Sequence, residues 1–251
     1  MLFAAMGGSK ILVVTDQDRG QTPALVYDPR TGALAFGPRM PAELRRGFDA
    51  VVVAGGGVLY TFSSPSYDND ETFEEVWGWR PLPRPPPPHD GYEVIAAHAV
   101  HPDGRTVFLT TCRGDCPGIL RRMYAFDTEQ RAWRWHAWAL PFEGAGHFDA
   151  ELDAWVGLHR DGHVCACRVP ADDDSGSATQ RRVEEKMFCR DHKRHVRASL
   201  TCMGAGRFCL LESVVREEVA ADDGYDHMSD PEGFVLYVTM FGLKYDNKGE
   251  L

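Results

Sequence analysis

Phe48-Asp49-Ala50-Val51-Val52-Val53-Ala54-Gly55-Gly56-Gly57-Val58-Leu59-Tyr60-Thr61-Phe62 is two short apolar runs joined by three glycines. β-Branched and aromatic residues dominate both runs, the composition of half-buried strands. Glycine takes positive φ without steric cost, so the stretch reads as a hairpin that turns at Gly56. The same arrangement recurs at Gly8, Gly104, Gly162 and Gly206, with successive spacings of 48, 48, 58 and 44 residues. After each glycine comes an alternating strand: Lys10 to Thr15, Val58 to Phe62, Thr106 to Thr110, His163 to Cys167, and Arg207 to Leu211. A strand precedes it too, as in His195 to Cys202. Helical spacing of apolar residues is nearly absent.

A second hairpin follows in at least two of the repeats. Leu25-Val26-Tyr27-Asp28-Pro29-Arg30-Thr31-Gly32-Ala33-Leu34 reads as strand, turn, strand, and so does Met123 to Thr128 followed by Trp133. Asp28 and Asp127 open these turns because an aspartate side chain bonds the backbone two residues on. Asp246, near the end at Tyr245 to Leu251, has the look of a third. Each repeat therefore holds four strands, and units of about 40–50 residues arranged radially are the plan of a β-propeller. The expectation is an all-β chain of about five four-stranded blades, over residues 1–46, 47–90, 91–145, 146–193 and 194–251, with a terminal blade incomplete. An unclosed ring would leave strand edges open to association.

Three segments carry a resemblance: VYDPRTGALAFGPRMP (26–41), YAFDTEQRAWRWHAWALPFEG (124–144) and FDAELDAWVGLHRDGHVCAC (148–167). They resemble kelch-type propeller repeats, closest to the uncharacterised kelch-like proteins of grasses, over nearly the whole chain. The paired glycines usual in such repeats stand at Gly7-Gly8 and Gly55-Gly56 and are reduced elsewhere. The resemblance implies a plant protein that binds other proteins. Plant propellers of this type often recognise substrates beside an F-box, and no F-box helix pattern is present.

Composition narrows the function classes. The 251 residues are 43% hydrophobic and 25% charged, the balance of a globular protein. A net charge of −10, from 37 acidic and 27 basic residues, disfavours phosphate-backbone binding. No apolar window reaches the ~18–20 residues that cross a bilayer, and the first residues lack the basic start of a signal peptide. Seven cysteines without framework spacing point to a reducing compartment, cytoplasm or nucleus.

Candidate chemistry is sparse. Cys165 and Cys167, with His159 and His163 nearby, hold zinc-type donors, but their register with apolar positions of other repeats favours burial. Cys112 and Cys116 are C-x3-C loop thiols. Asp149, Glu151 and Asp153 alternate as on one strand face; a glycosidase needs an opposing second carboxylate, which nothing supplies. The run Arg80 to Pro88, through Pro85, should be polyproline II, either a connector between blades or a ligand for an SH3 or WW domain. The six tryptophans are expected to pack between blades, Trp133 and Trp135 sharing one face. No catalytic, cofactor or metal residue is assigned. The expectation is a non-enzymatic scaffold presenting loops to a protein partner. The alternative is a carbohydrate-active enzyme or lectin-like binder using the central channel. The first strand of each blade separates them: carboxylates there favour the enzyme, and small apolar residues favour the scaffold.

Overall fold

The computed structural model describes residues 2–6, 10–14, 23–39, 51–55, 58–62, 82–86, 93–113, 121–168, 180–216 and 234–245. Every regular element among them is a β-strand. The strands are β1 (Leu2–Met6), β2 (Lys10–Val14), β3 (Pro23–Asp28), β4 (Ala33–Arg39), β5 (Val51–Gly55), β6 (Val58–Phe62), β7 (Glu93–Val100), β8 (Thr106–Arg113) and β9 (Arg122–Asp127). They continue as β10 (Ala132–His136), β11 (Glu143–Asp149), β12 (Ala154–Leu158), β13 (Val164–Cys167), β14 (Gln180–Arg182), β15 (His195–Gly204), β16 (Arg207–Val215) and β17 (Phe234–Gly242). The all-β expectation holds for the described residues.

Chain order is also spatial order: β1 to β4 form one antiparallel meander, as do β8 to β10, β11 to β14, and β15 to β17, while β5 pairs with β6. Short connections make this the cheapest route, since sequential strands pair without a crossover. The chain divides into two compact units, Met1–Ala96 with Val100–His136, and Ala97–Ala99 with Ala137–Leu251.

In the first unit, Tyr60 and Phe62 of β6 pack on Val107 and Leu109 of β8 and on Phe126 of β9. The rings of Phe62 and Phe126 meet edge to face at 6.2 Å, and Trp133 of β10 closes on both. Here Trp133 packs as expected of the tryptophans, whereas Trp135 stands exposed. In this unit β1 lies beside β5.

In the second unit, two meanders stack face to face. Ala154, Val156 and Leu158 of β12 and Val164 and Ala166 of β13 meet Leu200 of β15 and Phe208 and Leu210 of β16. Strand alternation puts these residues on one side of each sheet. Ala97–Ala99 of β7 runs parallel to β11, in register Gly144↔Ala97, Ala145↔His98, Gly146↔Ala99, and β15 lies against β11. Such close approach needs small residues. The Phe142 ring fills the space over Gly146 and Gly157: a Cβ added there would lie 2.2 Å and 2.4 Å from ring atoms.

Gly157→Ala should therefore overpack this core and lower stability by about 1–3 kcal/mol. Urea denaturation measures it, and adding Phe142→Leu should return part of the loss.

Candidate functional site

The turns are built by aspartates in a common way. Asp28 Oδ1 accepts the N–H of Arg30, and Asp127 Oδ1 accepts those of Glu129 and Gln130. Asp149 Oδ1 accepts those of Glu151 and Leu152. Four residues after each aspartate the backbone is left-handed, at Gly32, Arg131 and Asp153. A second type is His-x-Asp-Gly, with His101 against Asp103 at 2.9 Å and His159 against Asp161 at 2.6 Å. Burial raises both carboxyls' pKa values. Backbone N–H groups (Arg105 and Thr106 for Asp103, His163 for Asp161) and the neighbouring imidazoles outweigh it, and both end below the usual carboxylate range.

Asp28 and Asp127 thus sit in the β3–β4 and β9–β10 turns, and Gly104 and Gly206 in the β7–β8 and β15–β16 turns. Gly162 needs a correction. It turns β12 into β13, the second hairpin of its sheet. The first hairpin, β11–β12, turns at Asp149–Asp153 without glycine, because Asp149 braces a loop whose left-handed residue is Asp153. The interval between the left-handed residues of the two turns, Gly104 and Asp153, is 49 residues. β11 also opens at Glu143, ahead of the expected boundary at 146. Gly8, Gly56, Asp246, Arg80 and Pro88 lie outside the described residues.

Asp149 does more than brace its own turn. Its second oxygen accepts the N–H of Gly206 at 2.8 Å, tying the β11–β12 turn to the β15–β16 turn. Gly206 has φ +65, and a Cβ there would lie 2.9 Å from the Leu243 carbonyl oxygen. The reading of Asp149, Glu151 and Asp153 as one face of a strand is corrected accordingly. Asp149 ends a strand, Glu151 and Asp153 are turn residues, and the buried Asp149 is saturated by backbone donors.

Among the described residues the other buried carboxylate is Glu93, at the start of β7, which accepts from the Thr111 hydroxyl and the Arg122 guanidinium. Neither carboxylate keeps an open face for acid–base work. Between their ends these two strands carry runs of small residues, Ala96, Ala97 and Ala99 of β7 and Gly144, Ala145 and Gly146 of β11.

Two histidines interrupt them, and the sequence reading passed over both. His147 Nε2 lies 2.7 Å from the Leu200 carbonyl of β15, so that nitrogen carries the proton and donates. His98 Nδ1 is buried with no hydrogen-bond partner. Burial, then the nearby His147, lowers the His98 pKa to about 4. Burial also lowers His147, against the opposing pull of its bond to Leu200. Both rings are neutral at pH 7.

The thiols behave as core. Cys112, Cys165, Cys167 and Cys189 are buried, and burial pushes the Cys167 thiol up to about 12. His163 Nδ1 donates to the Val183 carbonyl at 2.9 Å, and His159 is held by Asp161, so neither turns to Cys165. Cys189 Sγ meets His192 Nδ1 at 3.1 Å, while Glu212 takes the Cys189 N–H and the His195 ring. Burial, then Glu212, raises the Cys189 pKa, the reverse of nucleophile activation. Among the described residues no three His, Cys, Asp or Glu are gathered as metal ligands, and no helix is long and apolar enough to cross a membrane. Within the proline run, the Pro83 carbonyl accepts the Trp133 indole N–H at 2.7 Å and Leu82 enters the core of the first unit. Pro85, next to that anchor, is half-buried.

A family model described as a protein of unknown function, DUF1668, matches residues 1–251. No curated protein matches the chain.

Asp149→Ala strips acceptors from three backbone donors and should cost about 2–4 kcal/mol in denaturant unfolding. The lowered His98 pKa makes stability fall with acid. The contribution is whole above the unfolded-state value of about 6.5. It is lost as pH drops toward 4, where the unfolded chain holds a proton the folded one refuses, by up to roughly 3 kcal/mol. Denaturation midpoints across that window should decline, and His98→Leu should flatten the decline.

Proposed function

The chain belongs to the DUF1668 family, and from that premise we propose that it is a non-enzymatic interaction scaffold, a kelch-like β-propeller of about five blades that offers its loops to a protein partner. The observation that carries this reading is the makeup of the first strands, β5, β7, β11 and β15. In a propeller these strands surround the axis. A carbohydrate-active site there would need converging carboxylates with open faces. Instead Glu93 is taken by Arg122 and Thr111, and Asp149 by three backbone N–H groups. β7 and β11 add short runs of small residues, Ala96, Ala97 and Ala99 in one and Gly144 to Gly146 in the other.

The propeller itself is supported by the way successive meanders meet. β7 runs parallel to β11, β11 lies against β15, and β1 lies beside β5, so first strands neighbour first strands. Meanders also stack face to face, as blades do. The buried thiols of Cys167 and Cys189 support a reducing compartment, cytoplasm or nucleus. The net charge of −10 supports a protein partner over nucleic acid. The proline run is read as a strut, given its anchor on Trp133.

Proximity labelling with the full chain, compared with the labelling enzyme alone, should return a reproducible set of neighbouring proteins. The purified chain should neither bind nor cleave a panel of oligosaccharides. An empty neighbour set, or turnover of any sugar, would overturn the reading.

A further inference from the structure

The β1–β4 and β11–β14 meanders have four strands each, while β15–β17 stops at three. Among the described residues no strand pairs with the far edge of β17. Its register with β16 runs unbroken from Phe234↔Val215 to Gly242↔Arg207. Just beyond, the Leu243 N–H donates to the Gly206 carbonyl at 2.8 Å. Peptide groups of successive residues alternate sides along an antiparallel strand. Those of Tyr237, Thr239 and Phe241 therefore face β16, as Leu243 does. Those of Leu236, Val238 and Met240 face outward, a row of donors and acceptors along an open edge.

Proteins guard such edges with charge, proline or brevity. β14, the outer strand of its meander, has three residues, two of them Arg181 and Arg182. β4 ends in Pro38-Arg39, and β10 carries Arg134 at its centre. β17 has none of these devices. Its nine residues, Phe234-Val235-Leu236-Tyr237-Val238-Thr239-Met240-Phe241-Gly242, include no charge and no proline. Leu236, Val238 and Met240 are 61%, 58% and 71% exposed.

We propose that this edge is closed by a second copy of the chain, the two β17 strands pairing antiparallel about a two-fold axis at Val238. An open edge takes an extended strand through its backbone groups, and β17 is itself a fitting one. Val238 is the midpoint of the strand, so a two-fold there pairs its whole length. Its peptide group faces outward, so the two copies of Val238 exchange both their bonds on the axis, and Leu236 and Met240 of opposite copies do the same. The full register makes about ten backbone hydrogen bonds between copies. Side chains agree with the backbone. Leu236 meets Met240 of the second copy, Tyr237 meets Thr239 and Val235 meets Phe241, so every row sets apolar against apolar or aromatic against β-branched. With no charge in the strand, the two-fold opposes no like charges. Such an isologous contact uses one patch on each copy and closes at the dimer.

Sedimentation of the purified full chain across the micromolar range should take the mass from one chain to two and stop there. Residue-resolved amide exchange should slow at Leu236, Val238 and Met240 as concentration rises. Tyr237, Thr239 and Phe241, already bonded to β16, should keep their rates. Val238→Lys and Val238→Glu each set like charges face to face on the axis, and each alone should stay a monomer with wild-type circular dichroism and melting. Mixed in equal amounts they should dimerise, because opposite charges then meet. Should either melt early, Leu236→Glu and Met240→Lys repeat the test at positions that face each other across the copies. A chain that is monomeric throughout would overturn the proposal. So would assembly beyond the dimer, a Val238→Lys chain that associates like wild type, or a mixture that stays monomeric. A monomeric chain whose Val238→Lys variant loses its labelled neighbours would give the edge to another protein's strand and overturn the second copy as occupant. Self-association is read on the purified chain, so its failure leaves the scaffold reading to the labelling experiment.

Discussion

A small antiparallel meander with apolar residues on both faces cannot stand alone in water, and this constraint organises the molecule. Its hydrogen bonds are satisfied within the sheet, but its side chains are covered only when another sheet lies against it. The stacking of β11–β14 on β15–β17, through Val156, Val164, Leu200, Phe208 and Leu210, is the clearest instance. The contact of β6 with β8 and β9 through Tyr60, Phe62 and Phe126 repeats it. Sheets held this way need their turns aligned, and Asp149 does so by bonding its own turn with one oxygen and the Gly206 N–H with the other.

The same constraint explains why polar chemistry is scarce where the sheets approach. Where β7 and β11 pair, the residues in register are alanines and glycines apart from His98. Carboxylates at the ends of these strands are admitted only with full sets of partners, since an unpaired buried charge would be too costly. His98 and His147 are tolerated because an imidazole can stay neutral, and their lowered pKa values express that.

Turn chemistry shows where residue patterns mislead. Gly104, Gly162 and Gly206 all carry the positive φ that a glycine turn needs. Yet Gly162 serves a different hairpin from the other two. A left-handed position can also be filled by an aspartate or arginine when a preceding aspartate supplies the loop's hydrogen bonds, as at Asp153 and Arg131. A glycine-based alignment therefore slips by one hairpin in the fourth repeat.

From residue order alone one could read the all-β class, the hairpin positions, the aspartate turns at Asp28 and Asp127, and the burial of Cys165 and Cys167. These are local or periodic properties, set by backbone preference and by alternation along a strand. What only the tertiary structure decided is which distant groups meet. The bond from Asp149 to Gly206, the approach of His147 to the Leu200 carbonyl, and the seating of Phe142 over Gly146 and Gly157 join residues from different strands or sheets. No spacing in the chain encodes them, because they depend on how one twisted sheet rests on the next. Exposure is decided at the same level. Phe208 and Met240 look alike in an alternating strand, and only the stacking of sheets leaves one buried and the other in water.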